Sequence, residues 1–233
     1  MVDLHSHILP EMDDGSQSVE MSHKMLELMA QQQVHTVVAT PHFYASRDLP
    51  EAFLERRKKC FQALGPQKPG HPQVILGAEV AYFDGMGRNA EVLEQLQIGN
   101  SGLLLVEMPF AQWTNRMVRE VCDLPLQTGL TPVLAHVDRY CSNDRLYGHM
   151  ETLLDCGVLF QCNADAFLSF FRRMSIGKLL RYEAIHFLGS DSHNLSSRMP
   201  NLGEAAQVIR QKWGDRLLSQ IMDFSREQLK EPG

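Results

Sequence analysis

At 233 residues, with 44% hydrophobic and 21% charged residues, the chain has the balance of a globular protein and room for one large α/β unit, which sets aside fibrous and disordered classes. Its formal net charge of -6 supplies none of the basic footprint of a nucleic-acid binder. No stretch reaches the roughly 18 uncharged apolar residues that cross a bilayer, and Met1–His5 has neither the basic nor the apolar region of a signal peptide, so a cytoplasmic protein is expected.

Short apolar runs alternate with longer amphipathic stretches along the chain. Strands are predicted at Val2–His5, Thr36–Ala39, Val74–Val80, Gly102–Val106, Pro132–His136, Val158–Cys162 and Ala184–Leu188, each bounded by turn residues. After the first strand, Met21, Met25, Leu28 and Met29 have helical spacing behind Ser16 and Ser18, either of which can serve as N-cap. Phe53, Cys60, Phe61 and Leu64 follow Asp48 and Pro50, another helix start. Val118, Val121 and Cys122 suggest a third helix, and Leu179, Leu180 and Tyr182 close a later one. Leu202–Lys230 reads as helix with breaks near Gly214 and Asp223.

Strands separated by helices imply parallel pairing through right-handed crossovers. The Gly/Pro-rich stretch Gly65–Pro72 lies inside one crossover and reads as a loop, so residues 1–233 are taken as one domain. Cys60, Cys122, Cys141, Cys156 and Cys162 are odd in number and form no C-x-x-C pair, so reduced cysteines are expected.

The ionisable residues choose among α/β folds. His5 and His7 sit at the end of the first strand, His42 follows the second, Glu79 ends the third and Glu107 the fourth. His136 ends the fifth strand, Asn163 follows the sixth, and Asp191 and His193 follow the seventh. An open sheet gathers its ligands at one switch point. Chemistry-bearing residues on nearly every strand end instead favour a seven-stranded (β/α) barrel, whose active site forms at the carboxyl ends. A carboxylate such as Glu79 or Glu107 after an apolar run costs several kcal/mol (roughly) if buried unpaired, and metal ions remove that cost. Alternate residues of a strand share a face, so His5 and His7 can reach one ion, and Asp191 with His193 offers similar geometry. His23, His35, His71, His149 and His186 read as ordinary hydrogen-bonded histidines.

The chain resembles the PHP (polymerase and histidinol phosphatase) superfamily of metal-dependent phosphoesterases. Within it, the likeness is to the bacterial protein-tyrosine phosphatases that act with tyrosine kinases of capsule and exopolysaccharide synthesis. The matching segments are D-L-H-S-H-I-L-P at Asp3–Pro10, D-D-G at Asp13–Gly15, A-T-P-H at Ala39–His42 and G-A-E at Gly77–Glu79. H-V-D-R-Y at His136–Tyr140 and G-S-D-S-H-N-L at Gly189–Leu195 complete the set, with Asp138 standing where that subgroup is expected to have Glu. The resemblance implies a distorted, TIM-like (β/α)7 barrel holding three divalent ions, manganese first, with iron or zinc as alternatives. One site then uses His5, His7, Glu79 and Asp191; a second shares Glu79 and adds Glu107 and His136; a third uses Asp14, His42 and His193.

Such a centre stays cationic despite its four carboxylates, so it attracts a phosphotyrosine dianion even in an acidic protein. Metal coordination also brings bound water to a pKa of about 7, which supplies a hydroxide nucleophile for attack on phosphorus. Arg139 and Arg198 are assigned to the phosphate, whose oxygens match a guanidinium fork, while Arg47 and Arg116 read as surface residues. Phe43, Tyr44, Tyr82, Phe83, Phe110, Trp113 and Tyr140 follow strand ends, and some are expected to flank a phenyl ring. The expected partner is a tyrosine-phosphorylated protein, in the first place an autophosphorylated bacterial tyrosine kinase.

A thiolate mechanism is excluded. The residues six positions after the cysteines are Pro66, Thr128, Tyr147, Cys162 and Leu168, none an arginine. An amidohydrolase would also begin with H-x-H, but this chain has no suitably placed metal-bridging lysine. A small phosphoester such as histidinol phosphate, a nucleic-acid end, or a non-catalytic phosphotyrosine-binding role are the competing readings.

Overall fold

The computed structural model describes residues 1–66, 68–141 and 143–229; Gln67 of the Gly/Pro-rich loop and Lys230 of the expected last helix lie outside them. In chain order the elements are β1 (Val2–Ser6), α1 (Val19–Gln31), β2 (Thr36–Ala39), β3 (His42–Phe43), α2 (Pro50–Ala63), β4 (Gln73–Leu76), β5 (Glu79–Ala81), α3 (Ala90–Leu96), β6 (Leu103–Glu107), α4 (Asn115–Cys122) and α5 (Leu124–Thr128). They continue with β7 (Thr131–Leu134), α6 (Asp144–Asp155), β8 (Leu159–Asn163), α7 (Asp165–Leu168), α8 (Phe170–Ser175), α9 (Gly177–Arg181), β9 (Phe187–Gly189), α10 (Leu202–Trp213) and α11 (Asp215–Leu229).

All paired strands are parallel. The order β1-β2-β4 is continued by β3-β5-β6-β7-β8-β9. Hydrogen bonds from Asp191 N to His5 O (2.8 Å) and from His7 N to Ser192 O (2.9 Å) bring the last strand position back to β1. The sheet thus curls into the distorted seven-position barrel expected from the sequence.

One expected strand forms but gains a further short strand beyond it, and another is broken in two. Thr36–Ala39 is followed after Thr40 and Pro41 by β3, and the expected Val74–Val80 strand is interrupted at Gly77 and Ala78. The breaks lie side by side: Gly77 N donates to Ala39 O (2.8 Å) and Glu79 N to Pro41 O (3.0 Å). Pro41 has no N–H to continue the ladder, and a Cβ on Gly77 would stand 3.3 Å from Val38 and 3.1 Å from Ile98. Beyond the double break, His42 and Glu79 are cross-strand partners.

The expected Ala184–Leu188 strand is reduced to Phe187–Gly189, because Glu183 turns in the left-handed region (φ 51°) just before it. At the carboxyl end of the chain, the break at Gly214 is present, but α11 runs uninterrupted through Asp223, whose carboxylate pairs with Arg226 (2.6 Å). Ser18, not Ser16, caps α1 by accepting from Met21 N (3.1 Å). Pro50 opens α2 at its first turn, and Asp48 instead accepts from Tyr44 N (3.2 Å) and Arg56 (3.0 Å). Helices α3, α5, α6 and α7 have no counterpart among the predicted helices.

Two apolar groups follow from strand alternation. Leu104, Val106, Phe160 and Cys162 face a larger core shared with the helices. Leu4, Val38, Leu103, Leu105, Val133, Ala135 and Phe187 form a smaller one on the opposite sheet face, which fills the curl. Phe224 of α11 packs on Phe187 (5.3 Å between ring centroids), and Val2 N meets Met222 Sδ (3.4 Å), so this helix lies against the start of β1. With that end filled, polar side chains collect at the carboxyl ends of the strands.

The seam between β9 and β1 leaves no room for a side chain at Gly189. A Cβ there would stand 2.6 Å from His5 Cβ and 2.7 Å from Gln161 Nε2. We expect Gly189→Ala to destabilise the fold by about 1–3 kcal/mol, read as a lower urea midpoint with an unchanged m-value.

Candidate metal centre

Glu79 is the centre of the cluster. It is 1% exposed at the start of β5, and imidazoles approach it from several strands. Its Oε2 lies 3.0 Å from His42 Nδ1, 3.3 Å from His5 Nε2 and 3.4 Å from His7 Nε2. Its Oε1 lies 2.9 Å from His136 Nε2, which in turn is 3.2 Å from Glu107 Oε1. Glu107 ends β6 two residues past Leu105, the cross-strand partner of Glu79, so both carboxylates point to one side. Asp191 Oδ1 is 3.6 Å from both His5 Nε2 and His7 Nε2, and His193 Nε2 is 3.4 Å from Asp14 Oδ1. All nine residues expected as ligands therefore meet at one end of the barrel, with Asp14 the exposed member at its mouth.

The donors suit divalent ions. Among the described residues, three overlapping sets have ligand atoms within 4.8 Å of one another: His7, Asp14, His42 and His193; His5, His7 and Glu79; His42, Glu79 and Glu107. Donors around one ion at roughly 2.0–2.6 Å lie within such distances of one another. His136 Nδ1 is buried without a hydrogen-bond partner, and Glu79 Oε2, His42 Nδ1 and His193 Nε2 lie close to other site groups without the geometry of a hydrogen bond. Orphaned buried atoms of this kind call for a ligand.

Without ions, protons carry the balancing charge. Burial opposes a charge on His7, yet Asp13 and Glu79 take its pKa up to about 10. Burial likewise opposes charge on His136, and Glu107 and Glu79 bring it to about 9. Burial, with the positive charges of His7 and Arg198, pushes His193 down to about 4. Burial alone would raise Glu79, but the surrounding imidazoles, His5 first, hold it well below the usual carboxylate range.

The structure gives supporting roles to Asp13, Asn163 and Asp138, which the sequence reading named without one, and adds Gln161, which it did not single out. Asp13 lies 2.7 Å from His7 Nδ1 and accepts from His42 N (3.0 Å) and Gly15 N (2.9 Å). This leaves His7 Nε2 facing Glu79. Gln161 Oε1 accepts from His136 N (2.7 Å) and lies 3.0 Å from His5 Nδ1, which makes that nitrogen the protonated one. Gln161 Nε2 donates to Asn163 Oδ1 (3.0 Å), and Asn163 Nδ2 donates to Asp191 Oδ2 (2.9 Å). Asp138 accepts from Asn163 N (2.9 Å), and burial raises its pKa. Gln161 and Asn163 alternate with Phe160 and Cys162 along β8, a polar face in an otherwise apolar strand that was the available signal.

Two of the five non-glycine residues at positive φ among the described residues lie in the site. His136 (φ 32°) and Asp191 (φ 51°) both occupy the left-handed region, where a non-glycine residue costs about 1–3 kcal/mol. Gln161 Oε1 holds the amide of the first and His5 O that of the second.

Arg139 and Arg198 both reach the centre, by converging on Asp191. Arg139 hydrogen-bonds Oδ2, and Arg198 lies 2.6 Å from Oδ1. They border a cleft of about 660 Å³ that also includes Asn163, Ser190 and Arg172. Arg47 instead stacks over Tyr44 (5.2 Å), and Arg116 stands 4.0 Å from Asp84. Of the five histidines read as ordinary, His186 is 3.0 Å from Phe160 N, and His23 faces His71 at 5.8 Å. All five cysteines are free thiols.

Replacing Gln161 by leucine removes the acceptor for His136 N and the partner of His5 Nδ1. We expect Gln161→Leu to weaken divalent-ion binding about 10- to 100-fold, measured by titration calorimetry with the folded state checked by circular dichroism.

Comparison with known proteins agrees with this geometry. The tyrosine-protein phosphatase CpsB of Streptococcus agalactiae serotype III is 27% identical over 230 residues, covering 95% of this chain and 94% of that protein. The tyrosine-protein phosphatase YwqE of Bacillus subtilis is 28% identical over 226 residues, covering 93% of this chain and 87% of that protein. A structure from work on YwqE of Bacillus subtilis and CpsB of Streptococcus pneumoniae, described as metal-dependent tyrosine phosphatases, aligns with a TM-score of 0.83 at 25% identity. It covers 100% of this chain and 96% of that one. A phosphotriesterase homology protein of Escherichia coli shares the fold alone, with a TM-score of 0.54 at 10% identity over 94% of each chain. The family described as "Capsular polysaccharide synthesis, CpsB/CapC" matches residues 1–229, and the chain belongs to that family.

Proposed function

We propose that this chain is a cytoplasmic, single-domain, manganese-dependent protein-tyrosine phosphatase whose substrate is a tyrosine-phosphorylated protein, in the first place an autophosphorylated bacterial tyrosine kinase of capsule or exopolysaccharide synthesis. The observation that carries this reading is a buried carboxylate, Glu79, ringed by imidazoles beside two arginines at one barrel end. His5, His7, Asp14, His42, Glu79, Glu107, His136, Asp191 and His193 are the residues that hold the ions in this proposal, with iron or zinc as other possible occupants. Bound divalent ions supply Lewis acidity and activate the attacking water.

The chain's own residues bind and orient the substrate. Arg139 and Arg198 are held by the two oxygens of Asp191, and each keeps further N–H donors that can take phosphoryl oxygens. The cleft of about 660 Å³ beside them is large enough for a phosphorylated side chain. Phe110 is 60% exposed, stacked on His136 at 5.5 Å, with the Arg139 guanidinium 5.8 Å from its ring. Tyr44 stacks on His42 at 5.4 Å. Two aromatic rings above ligand imidazoles form walls for a phenyl group, and Phe110 is the better exposed. A phenol of pKa about 10 leaves readily as an anion, which lessens the need for a dedicated acid.

Protein stripped of metal and then offered manganese is expected to release phosphate from a phosphotyrosine peptide and to lose that activity again with a chelator. Release from histidinol phosphate alone would reject the substrate assignment, and release from the stripped protein with no added metal would reject the mechanism. Phe110→Ala is expected to raise KM for the peptide about three- to tenfold with kcat little changed, because an aromatic contact is worth about 0.5–1.5 kcal/mol. Steady-state kinetics over a peptide concentration series checks this.

A further inference from the structure

Helices α8 and α9 expose side chains that the phosphatase reading leaves unused. Of the eight large hydrophobic side chains exposed among the described residues, four fall between 170 and 182. They are Phe170 at 63%, Phe171 at 81%, Met174 at 67% and Tyr182 at 75% exposed. The same stretch holds Arg172, Arg173, Lys178 and Arg181 and no acidic residue, in a chain whose net charge is -6. Ile176 and Leu179 are buried and fasten the segment to the core, so the exposed apolar residues are not needed for that attachment.

We infer that the Phe170–Tyr182 segment docks the protein onto an anionic lipid surface. Phe170 and Phe171 meet edge to face at 5.7 Å and project from a six-residue helix, not from a groove. Arg173 lies 6.0 Å from the Phe170 ring, and Lys178 lies 4.2 Å from the Tyr147 ring, so cations and aromatic rings are interleaved. Protruding aromatic residues with adjacent cations suit the headgroup region, which receives rings at the interface while basic residues meet anionic lipid. A protein partner would have to supply a matching hollow for each projecting ring; a lipid surface deforms around them.

The patch has defined limits. On one side Asp165 is already paired with Arg172 (2.5 Å). On the other, the groove of about 390 Å³ behind Tyr182 and Tyr147 carries Glu151 and Asp155 and is unsuited to anionic lipid. Leu168 and Arg172 also border the cleft beside Asp191, so docking through this segment places the cleft mouth close to the membrane plane.

The experiment is co-sedimentation of the full chain with vesicles of phosphatidylcholine alone or with one-third phosphatidylglycerol. Binding is expected only to the anionic vesicles, weakening with salt. The pairs Phe170→Ser with Phe171→Ser, and Lys178→Glu with Arg181→Glu, are each expected to lower the bound fraction about tenfold. Both should keep their melting temperature and their hydrolysis of a soluble aryl phosphate. Absence of binding, binding equal on neutral vesicles, or binding indifferent to both pairs would overturn the inference. So would loss of binding on adding excess inorganic phosphate, which would assign headgroup capture to the cleft, or self-association abolished by the serine pair, which would make the patch an interface between copies. The phosphatase reading is tested separately by the soluble substrate, so either idea can fail alone.

Discussion

One buried carboxylate organises this molecule. Glu79 lies within 3.4 Å of four imidazoles: His5 in β1, His7 just past it, His42 in β3 and His136 two residues past β7. An isolated carboxylate in such a place costs several kcal/mol (roughly). It persists only because positive charge collects around it, as protons on histidines or as divalent ions. Metal binding to this centre therefore exchanges protons for ions and is coupled to pH and to folding. The filled barrel interior and the arginines at the rim are arranged around that constraint.

Holding the cluster requires irregular backbone. The paired interruptions after β2 and β4 let His42 and Glu79 face each other in register beyond them. A register shift in β1 between Asp3 and Ser6 lets this strand place Leu4 in the interior core and still present His5 to Glu79. Left-handed backbone at His136 and Asp191 completes the set. These departures cluster where the chemistry is, and the hydrogen bonds of Asp13, Gln161 and Asn163 hold the side chains in the geometry obtained.

Charge acts locally in this protein. The whole chain is acidic, yet both Arg139 and Arg198 converge on one carboxylate at the cleft, and four basic residues lie together between 170 and 182. At physiological salt the Debye length is about 8 Å, so distant acidic residues do little to offset either cluster. A negatively charged protein can accordingly receive an anionic substrate at one place and an anionic surface at another.

Much of this was legible in the linear sequence. Alternating apolar runs and amphipathic stretches defined a parallel α/β chain, polar residues at successive strand ends favoured the barrel, and the family resemblance added Asp14 and implied the set of nine candidate ligands. Those features are local: a strand end is recognisable within a few residues, and H-x-H places two imidazoles on one face wherever the strand lies. The supporting contacts were not legible, because they join residues far apart in sequence. His5 meets Gln161 across 156 positions, and Ser190 N meets Asp3 across 187. Barrel closure alone brings such pairs together. The same closure decided that both arginines rest on Asp191 and that Phe170 and Phe171 remain outside, since composition specifies which side chains exist and only packing determines which are covered.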